Sequence, residues 1–436
     1  MKKPLRRHTN FDIVSKTKLA FPEHQAVSGL CSICTKEGFC EIGLKAKTGR
    51  TIFPEPFGSA QFGAEKKTPH LEDIQILPEL FGDAVFFKEV DTEVVLGGFK
   101  NSIPLVVAAM GSTKVADVNT KTLSIGAAKA GIVRVLGENI LATYGEKRLE
   151  EDILTYKENQ EKLGGILVQV NAVERNIGIV EKALEYGADG VELKLGQAAK
   201  QGLGGEIKFM GKEIAEKYRK IGFYVIEERD GKYERHAPAG SLHAETLREE
   251  LIKLSDMDIK IWIKIGMGKG IIKLLEFLDE IKEENSLNLE AITIDGLPGG
   301  TGMSPWLIMN ETSIPSPAIF SSLKEELSFD IILAGGFSTG IDIAKALMLG
   351  ANGVAMGRPF LIAANYENYP VLSEEEKQRK PWEGVVNFVK ALKEELQMVC
   401  ATQRVKHVSA LIGRKQNLYP LSTEAAKMFG LSFEIE

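Results

Sequence analysis

From about residue 100 onward, the sequence repeats one pattern eight times: a short run rich in β-branched residues, then a longer amphipathic stretch. This alternation predicts parallel βα units, and the nearly apolar short runs are typical of strands covered by helices on both faces. Eight consecutive units without a break in composition favour a closed (β/α)8 barrel of the TIM type over an open sheet. The predicted strands are 104–110, 131–136, 165–171, 189–195, 259–265, 290–295, 330–334 and 352–356.

The pattern also predicts how the rest of the chain is divided. Residues 84–100 alternate and contain Gly97-Gly98, so a hairpin is expected to lead into the first strand and to close the bottom of the barrel. We therefore assign the barrel to residues 84–365, an N-terminal extension to 1–83, and a C-terminal extension, a helical tail packing on the barrel, to 366–436. The stretch 195–241 is long for a connection, and long loops on this barrel face usually carry function.

Charge and hydropathy exclude several classes of partner. The chain has 54 Lys and Arg against 60 Asp and Glu, a formal net charge of −6, which gives no broad attraction to nucleic acid or anionic membranes. Its basic N-terminus is not followed by an apolar core, and no apolar run is long enough to span a bilayer. We expect a cytoplasmic protein that forms a homo-oligomer and acts on a small molecule.

The ends of the last two predicted strands have the composition of a phosphate site. Strand seven ends in Ala-Gly335-Gly336-Phe-Ser-Thr-Gly before a helix, and strand eight ends in Met-Gly357-Arg358. Glycine N–H groups, a helix N-terminus and an arginine together suit an anion. Tight turns and a surface ion pair are the alternative explanation.

Polar residues end the preceding predicted strands. Glu192 and Lys194 lie on one face of strand four, and Lys264 in strand five is expected to point inward. A buried lysine is costly without a partner, so it should face a ligand or a carboxylate. Gln169 can both donate and accept hydrogen bonds, as a ring edge requires, although a core glutamine bonded to backbone is equally consistent.

Strand six ends at Asp295 and opens a glycine-rich loop that includes Gly300 and Thr301. With side chains absent over most of its length, this loop can come close to a flat or bulky ligand.

Three ordered motifs, GQAAKQGLGG (196–205), DGLPGGTGMSP (295–305) and AGGFSTG (334–340) with Met356-Gly-Arg358, resemble the FMN-binding synthase domain of glutamate synthases. The similarity covers about residues 85–405.

The resemblance implies an FMN-dependent barrel enzyme with assigned site residues. A 2-oxo acid is aminated to an imine, which reduced flavin converts to an amino acid by hydride transfer from its N5. Lys264 would lie near flavin N1, the C2 carbonyl and the substrate carboxylate. The residues assigned to FMN are Ala108, Ala109, Met110, Gln169, Lys264, Asp295, Gly300, Thr301, Gly335, Gly336, Gly357 and Arg358, and those assigned to catalysis are Lys264, Glu192 and Lys194.

The cysteines depart from the family pattern. The family has a glutaminase domain with an N-terminal cysteine, whereas this chain begins Met1-Lys2, so ammonia is not expected to come from glutamine. The family's iron–sulfur cysteines follow the barrel, where only Cys400 stands here. The other three cysteines, Cys31, Cys34 and Cys40, fall within ten residues. Four thiolates suit a [4Fe–4S] cluster fed by a ferredoxin-type donor or a structural zinc, and unliganded thiols are the third alternative.

Other reactions stay open at this point. A 2-hydroxy acid oxidase needs a His-x-x-Arg motif, which is absent from the ends of strands six and seven. A dehydrogenase of the inosine-monophosphate type needs a cysteine in the loop after strand six, and residues 296–304 contain none. A redox-neutral isomerase and a non-catalytic flavin and iron–sulfur electron-relay subunit fit the sequence as well.

Overall fold

A computed structural model of the protein describes residues 68–111, 114–171, 174–196, 207–220, 224–227, 231, 233–236, 243–297, 312–324, 326–365 and 380–435. Its strands are β1 Ile74–Ile76, β2 Val94–Leu96, β3 Phe99–Asn101, β4 Leu105–Val107, β5 Val133–Leu136, β6 Ile166–Val170, β7 Gly190–Lys194, β8 Ile207–Met210, β9 Tyr224–Glu227, β10 Tyr233–His236, β11 Lys260–Gly266, β12 Leu289–Asp295, β13 Asp330–Ala334, β14 Gly353–Met356 and β15 Leu418–Pro420.

The α-helices are α1 Lys114–Ala130, α2 Ile140–Tyr144, α3 Glu146–Lys157, α4 Ile179–Glu185, α5 Lys212–Lys220, α6 Ala244–Ser255, α7 Ile271–Asn285, α8 Gly340–Leu349, α9 Arg358–Ala364, α10 Pro381–Thr402 and α11 Thr423–Phe429. Short 3-10 helices cover Leu71–Asp73, Phe87–Glu89, Glu174–Asn176, Ser316–Ser321, Val408–Leu411 and Lys415–Asn417.

Eight parallel strands close a barrel in the order β11-β12-β13-β14-β4-β5-β6-β7. These are the eight predicted strands, so the (β/α)8 prediction is confirmed. The largest difference in bounds is at β4, which ends at residue 107 instead of 110. Helices surround the barrel because its strands are apolar on their outer faces as well, with residues such as Ile166, Ile263 and Ile292 fully buried there.

The predicted hairpin closes the amino-terminal end of the barrel. Strands β2 and β3 are joined by Gly97 and Gly98, both with positive φ, as a two-residue turn requires. Trp262 fills the barrel beneath this turn and donates from Nε1 to the Gly97 carbonyl at 3.0 Å, while the Gly97 N–H donates to Asp330 at 2.7 Å. A Cβ at Gly97 would lie 2.3 Å from the indole ring, so this contact requires glycine.

The long connection after β7 carries secondary structure of its own. Strands β8, β10 and β9 form an antiparallel sheet in that order, and α5 packs on it through the buried residues Ala215, Tyr218 and Tyr233. This excursion leaves the barrel at its carboxyl-terminal end, where β7 finishes, and the chain returns through α6.

The C-terminal region packs along one side of the barrel. Helix α10 lies against α1, α8 and α9, and its Phe388 meets Phe360 edge to face at 5.5 Å. Gly126 of α1 permits the close approach, since a Cβ there would lie 2.5 Å from Val385. Strand β15 pairs antiparallel with β1, so segments that precede and follow the barrel in sequence form one small sheet.

Candidate active site at the carboxyl-terminal end of the barrel

The interior of the barrel has a polar half and an apolar half. Inward side chains of β6, β7, β11 and β12 near the carboxyl-terminal end are polar or charged: Gln169, Glu192, Lys194, Lys264, Thr293 and Asp295. Inward side chains of β4, β5, β13 and β14 are apolar and mostly small: Val106, Ala108, Val133, Val135, Ile332, Ala334 and Ala355. The polar half lies where enzymes with this fold place their active sites.

Lys264 and Asp295 form a buried ion pair, with Nζ and Oδ2 3.6 Å apart and both side chains 6% exposed. Each residue was predicted to lie in the site, and the structure brings them together. The Lys264 ammonium group donates no hydrogen bond to any described residue. Because an ammonium group has three donors, Lys264 keeps the capacity to bind an anionic or carbonyl oxygen.

Glu192 lies at the centre of the polar half and is 2% exposed. One carboxylate oxygen accepts a hydrogen bond from Gln169 Nε2 and the other accepts from Thr293 Oγ1 at 3.1 Å. Burial raises the pKa of this carboxyl group above its ordinary value, and the charges of Lys264 and Lys194 and the two hydrogen bonds oppose that rise. Glu192 is therefore a carboxyl group that can hold a proton inside the barrel.

Lys194 is paired with Glu138, a residue that the sequence analysis missed. Asn171 donates to the other carboxylate oxygen of Glu138 at 3.1 Å and to Asn139 at 3.1 Å. Glu138 stands two residues beyond the end of β5, and this position at the active-site edge is the signal that could have identified it. The pair joins the ends of β5 and β7, and Asn171 connects the end of β6 to them.

Two glycine turns, here called the glycine cradle, lie at the ends of β13 and β14, where the sequence predicts a phosphate site. Gly335 and Gly336 have φ values of 102° and 86°, and a Cβ at Gly335 would lie 2.1 Å from the Gly296 carbonyl oxygen. The N–H groups of Gly335, Gly336 and Gly357 donate to no acceptor in the described part of the chain. Arg358, which the sequence analysis assigns to the phosphate site, begins α9 directly after Gly357.

The N-terminus of helix α8 was predicted to contribute to the phosphate site, but N–H groups at its start have partners within the protein. At the start of α8, the N–H groups of Ser338 and Thr339 donate to Asp342 at 2.9 and 3.0 Å, and Asp342 N–H donates to Thr339 Oγ1. The Gly340 N–H donates to Glu395 of α10. The N–H groups of Ser338, Thr339 and Gly340 are therefore used within the protein, whereas those of Gly335, Gly336 and Gly357 have no acceptor among the described residues.

Ala108, Ala109 and Met110 follow β4 at the same end of the barrel. Ala108 is buried, and the other two are half-buried. A Cβ at Gly137 would lie 2.0 Å from the Met110 carbonyl oxygen, and one at Gly357 would lie 3.8 Å from the Met110 side chain. These three residues thus stand beside the glycine cradle, on the apolar half of the interior.

The first described residues of the N-terminal region lie beside this cradle. His70 and Leu71 line a recess together with Gly335 and Gly336. The Lys345 ammonium group donates to the Leu71 carbonyl at 2.8 Å and holds the segment against α8. Burial lowers the pKa of Lys345.

The described part of the chain contains only one of the four predicted metal ligands. Cys31, Cys34 and Cys40, like Gly300 and Thr301, lie outside the described ranges. Cys400 is fully buried in α10, and burial raises the pKa of its thiol to about 12. In the described ranges no group of three or more His, Cys, Asp or Glu is arranged to hold a metal ion. The four-thiolate site stays a prediction.

Sequence comparison identifies relatives over the same region. Residues 84–369 match the family described as the conserved region in glutamate synthase. The glutamate synthase large subunit-like protein of Rhizobium meliloti is 25% identical over 332 residues, which are 72% of this chain and 69% of that protein. The archaeal NADPH glutamate synthase of Archaeoglobus fulgidus is 24% identical over 309 residues, 68% of this chain and 52% of that enzyme. The chain thus spans about half of the archaeal relative.

An isopentenyl-diphosphate delta-isomerase of Archaeoglobus fulgidus is also similar, at 26% identity over 67% of this chain and 78% of that enzyme. Among solved structures, (S)-mandelate dehydrogenase superposes with a TM-score of 0.55 at 17% identity, covering 91% of this chain and 97% of that one. A flavocytochrome b2 variant gives a TM-score of 0.52 at 18% identity over 81% and 78%. These likenesses show the fold.

No helix in the described ranges is both long and apolar enough to cross a membrane.

The family match covers well over half of the chain and coincides with the barrel and its active-site end. The chain therefore belongs to the family defined by the conserved region of glutamate synthases.

Proposed function

We propose that the protein is an FMN-dependent oxidoreductase that forms or oxidises an amino acid at the carboxyl-terminal end of the barrel. The observation that carries this proposal is Lys264, a buried cation that keeps free donors in the polar half of the interior. Family membership supports the same assignment, and the low identity to the relatives leaves the substrate open.

The residues present fit FMN. The cradle of Gly335, Gly336 and Gly357 offers backbone N–H groups to a phosphate, and Arg358 adds positive charge. Ala108 and its neighbours on the apolar half would face a planar ring with apolar side chains. On the polar half, Lys264 would stabilise negative charge on the N1 and C2 carbonyl side of the ring.

FMN supplies hydride transfer when bound, and the chain's own residues supply charge and protons. In the proposed reaction, an imine derived from a 2-oxo acid would take up the hydride and a proton to give an amino acid. Lys264 would bind the substrate carboxylate, and Lys194, fixed by Glu138, would add positive charge at the mouth. Glu192, whose pKa is raised by burial, would hold or release a proton close to both lysines.

Electrons would come from a ferredoxin-type donor through a cluster held by Cys31, Cys34, Cys40 and Cys400, with zinc as the alternative metal. A redox-neutral isomerisation is the second candidate function. The similarity to the isopentenyl-diphosphate delta-isomerase, which covers 78% of that enzyme, favours isomerisation over 2-hydroxy acid oxidation and over an electron-relay role.

The first experiment is an absorption spectrum of the full chain purified without oxygen, with FMN determined after acid release and iron and zinc measured in the same sample. We expect two flavin bands over a broad iron–sulfur absorbance. One zinc and no iron would remove the cluster, and a colourless protein that cannot be reconstituted with FMN would remove the proposed function.

The second experiment identifies the reaction. Reduced flavin in the protein is mixed with a panel of 2-oxo acids, each with and without ammonium, and its reoxidation is followed by absorbance. Reoxidation that needs both the 2-oxo acid and ammonium supports imine reduction. If isopentenyl diphosphate is converted while no 2-oxo acid reoxidises the flavin, the second candidate replaces the first.

A further inference from the structure

The buried Gln169 side chain has its orientation fixed by Glu192. Gln169 is 3% exposed and faces Glu192 of the neighbouring strand β7. An ionised carboxylate only accepts hydrogen bonds, so the Gln169 amide must turn its NH2 group toward Glu192, as the contact from Nε2 shows. Thr293 donates to the second oxygen of Glu192 at 3.1 Å and holds the carboxylate from the opposite side.

This orientation leaves the Gln169 carbonyl oxygen as an acceptor. It accepts no hydrogen bond from the residues that the structure describes. Strand β6 directs Gln169 to the inside of the barrel, beside the polar half. An amide oxygen that points to the inside and has no donor can accept from a ligand that brings an N–H group.

Burial raises the pKa of Glu192, and the charges of Lys264 on β11 and Lys194 on its own strand oppose that rise. With Glu192 ionised, an amide turned the other way would place one carbonyl oxygen against another acceptor. When Glu192 is ionised, its contact with Nε2 therefore specifies which end of Gln169 faces the interior.

We propose that Glu192 is a positioning residue that makes Gln169 present a hydrogen-bond acceptor to the N3–H of the flavin ring. This inference rests on the proposed function, since it needs FMN in the barrel. The pyrimidine edge of a flavin carries one N–H donor, N3–H, between two carbonyl acceptors. An amide carbonyl opposite N3 accepts the hydrogen bond from N3–H, whereas an NH2 group there would place two donors against each other.

The test compares FMN with 3-methyl-FMN, which lacks the N3 donor. The flavin-free full chain is titrated with each compound, and the dissociation constant is measured from quenching of flavin fluorescence. The wild type should bind FMN about tenfold or more tightly than the methylated form, because the methyl group leaves the Gln169 oxygen unpaired.

Glu192→Gln removes the constraint, because a second amide can donate or accept and Gln169 can turn over. The ratio of the two dissociation constants should then fall about fivefold or more from the wild-type ratio. Thr293→Val is the matched control: it removes the other bond to Glu192, leaves the contact with Gln169, and should keep the wild-type ratio.

An unchanged ratio in Glu192→Gln would overturn the positioning role. Gln169→Met, which removes the amide, tests the same contact if Glu192→Gln does not fold: its ratio should fall as well, and a wild-type ratio would show that the amide does not face N3. If the wild type binds neither compound, the proposed function fails and this inference falls with it. Binding of FMN with equal affinity for the methylated form would refute the inference and leave the proposed function standing.

Discussion

The two ends of the barrel use inward side chains of the same strands for opposite purposes. At the amino-terminal end, Trp262 of β11 packs against the hairpin and meets Phe99 edge to face with ring centroids 6.0 Å apart. Two residues further along the same strand, Lys264 points into the polar half with Asp295 as its ion-pair partner. One period of the strand separates the end that the hairpin closes, here called the closed end, from the end that carries Lys264 and Asp295, here called the open end.

The difference shows how one strand can serve stability and chemistry at once. At the amino-terminal end, the indole N–H is satisfied within the protein by the bond from Trp262 Nε1 to the Gly97 carbonyl. At the charged end, Lys264 and the glycine N–H groups keep donors that the described residues do not use. Changes at Trp262 should therefore alter the free energy of unfolding, and changes at Lys264 should alter ligand binding and turnover.

The largest expected effect is on stability at the closed end. Trp262→Ala removes a fully buried indole and should lower the free energy of unfolding by about 3–5 kcal/mol. Urea unfolding measures this loss, and FMN affinity should stay at the wild-type value. Trp262→Phe, which keeps a ring but loses the bond to Gly97, should cost less. A loss of FMN affinity as large as the loss of stability would show that the two ends are not independent.

Next in size is the effect of removing charge at the open end. Lys264→Met should retain FMN but lower turnover about 100-fold to 1,000-fold, since it removes a preorganised cation from the reacting groups. Lys260→Met is the matched control: Lys260 begins the same strand at the other end, where its ammonium group lies over Phe99 at 5.3 Å. Normal turnover in Lys264→Met would assign this lysine a structural role only.

A smaller effect is expected at the cradle. Arg358→Ala should weaken FMN binding by about 1.5–3 kcal/mol, because it removes a charge-assisted contact to phosphate. Fluorescence titration measures the dissociation constants of FMN and of riboflavin, which has no phosphate. The variant should lose affinity for FMN alone. An equal loss for both compounds would place Arg358 away from the phosphate.

Much of this arrangement could be predicted from local sequence. The eight apolar runs specified the barrel, and Gly97-Gly98 between alternating residues specified the hairpin at its closed end. Strand periodicity correctly placed Glu192 and Lys264 on the inside, because a period of two leaves few choices once neighbouring residues are apolar. Pattern and packing agree at these positions.

The remaining features depend on contacts between distant segments. Glu138 reaches Lys194 from another strand, and Glu395 accepts from Gly340, 55 residues away in sequence. No local pattern specifies such partners. The three strands of the excursion, Ile207–Met210, Tyr224–Glu227 and Tyr233–His236, are four residues each, too short for their alternation to stand out from a loop.

The smallest expected effect concerns the cost of the charge at the open end. Because burial raises the pKa of Glu192, the folded state holds this proton more tightly than the unfolded chain does. The free energy of unfolding should therefore fall as pH rises from the ordinary glutamate pKa through the higher pKa of the folded state.

Glu192→Gln removes that ionisation and should be more stable than the wild type above this window and not below it. Urea unfolding of both proteins at pH 4 and pH 8 measures the difference. Glu283→Gln, on the exposed face of α7, controls for the change in net charge. A variant that is less stable than the wild type at pH 8 would mean that the two lysines and the hydrogen bonds from Gln169 and Thr293 outweigh burial. Glu192 would then be a net stabilising charge, and the open end would carry its ionised groups without loss of stability.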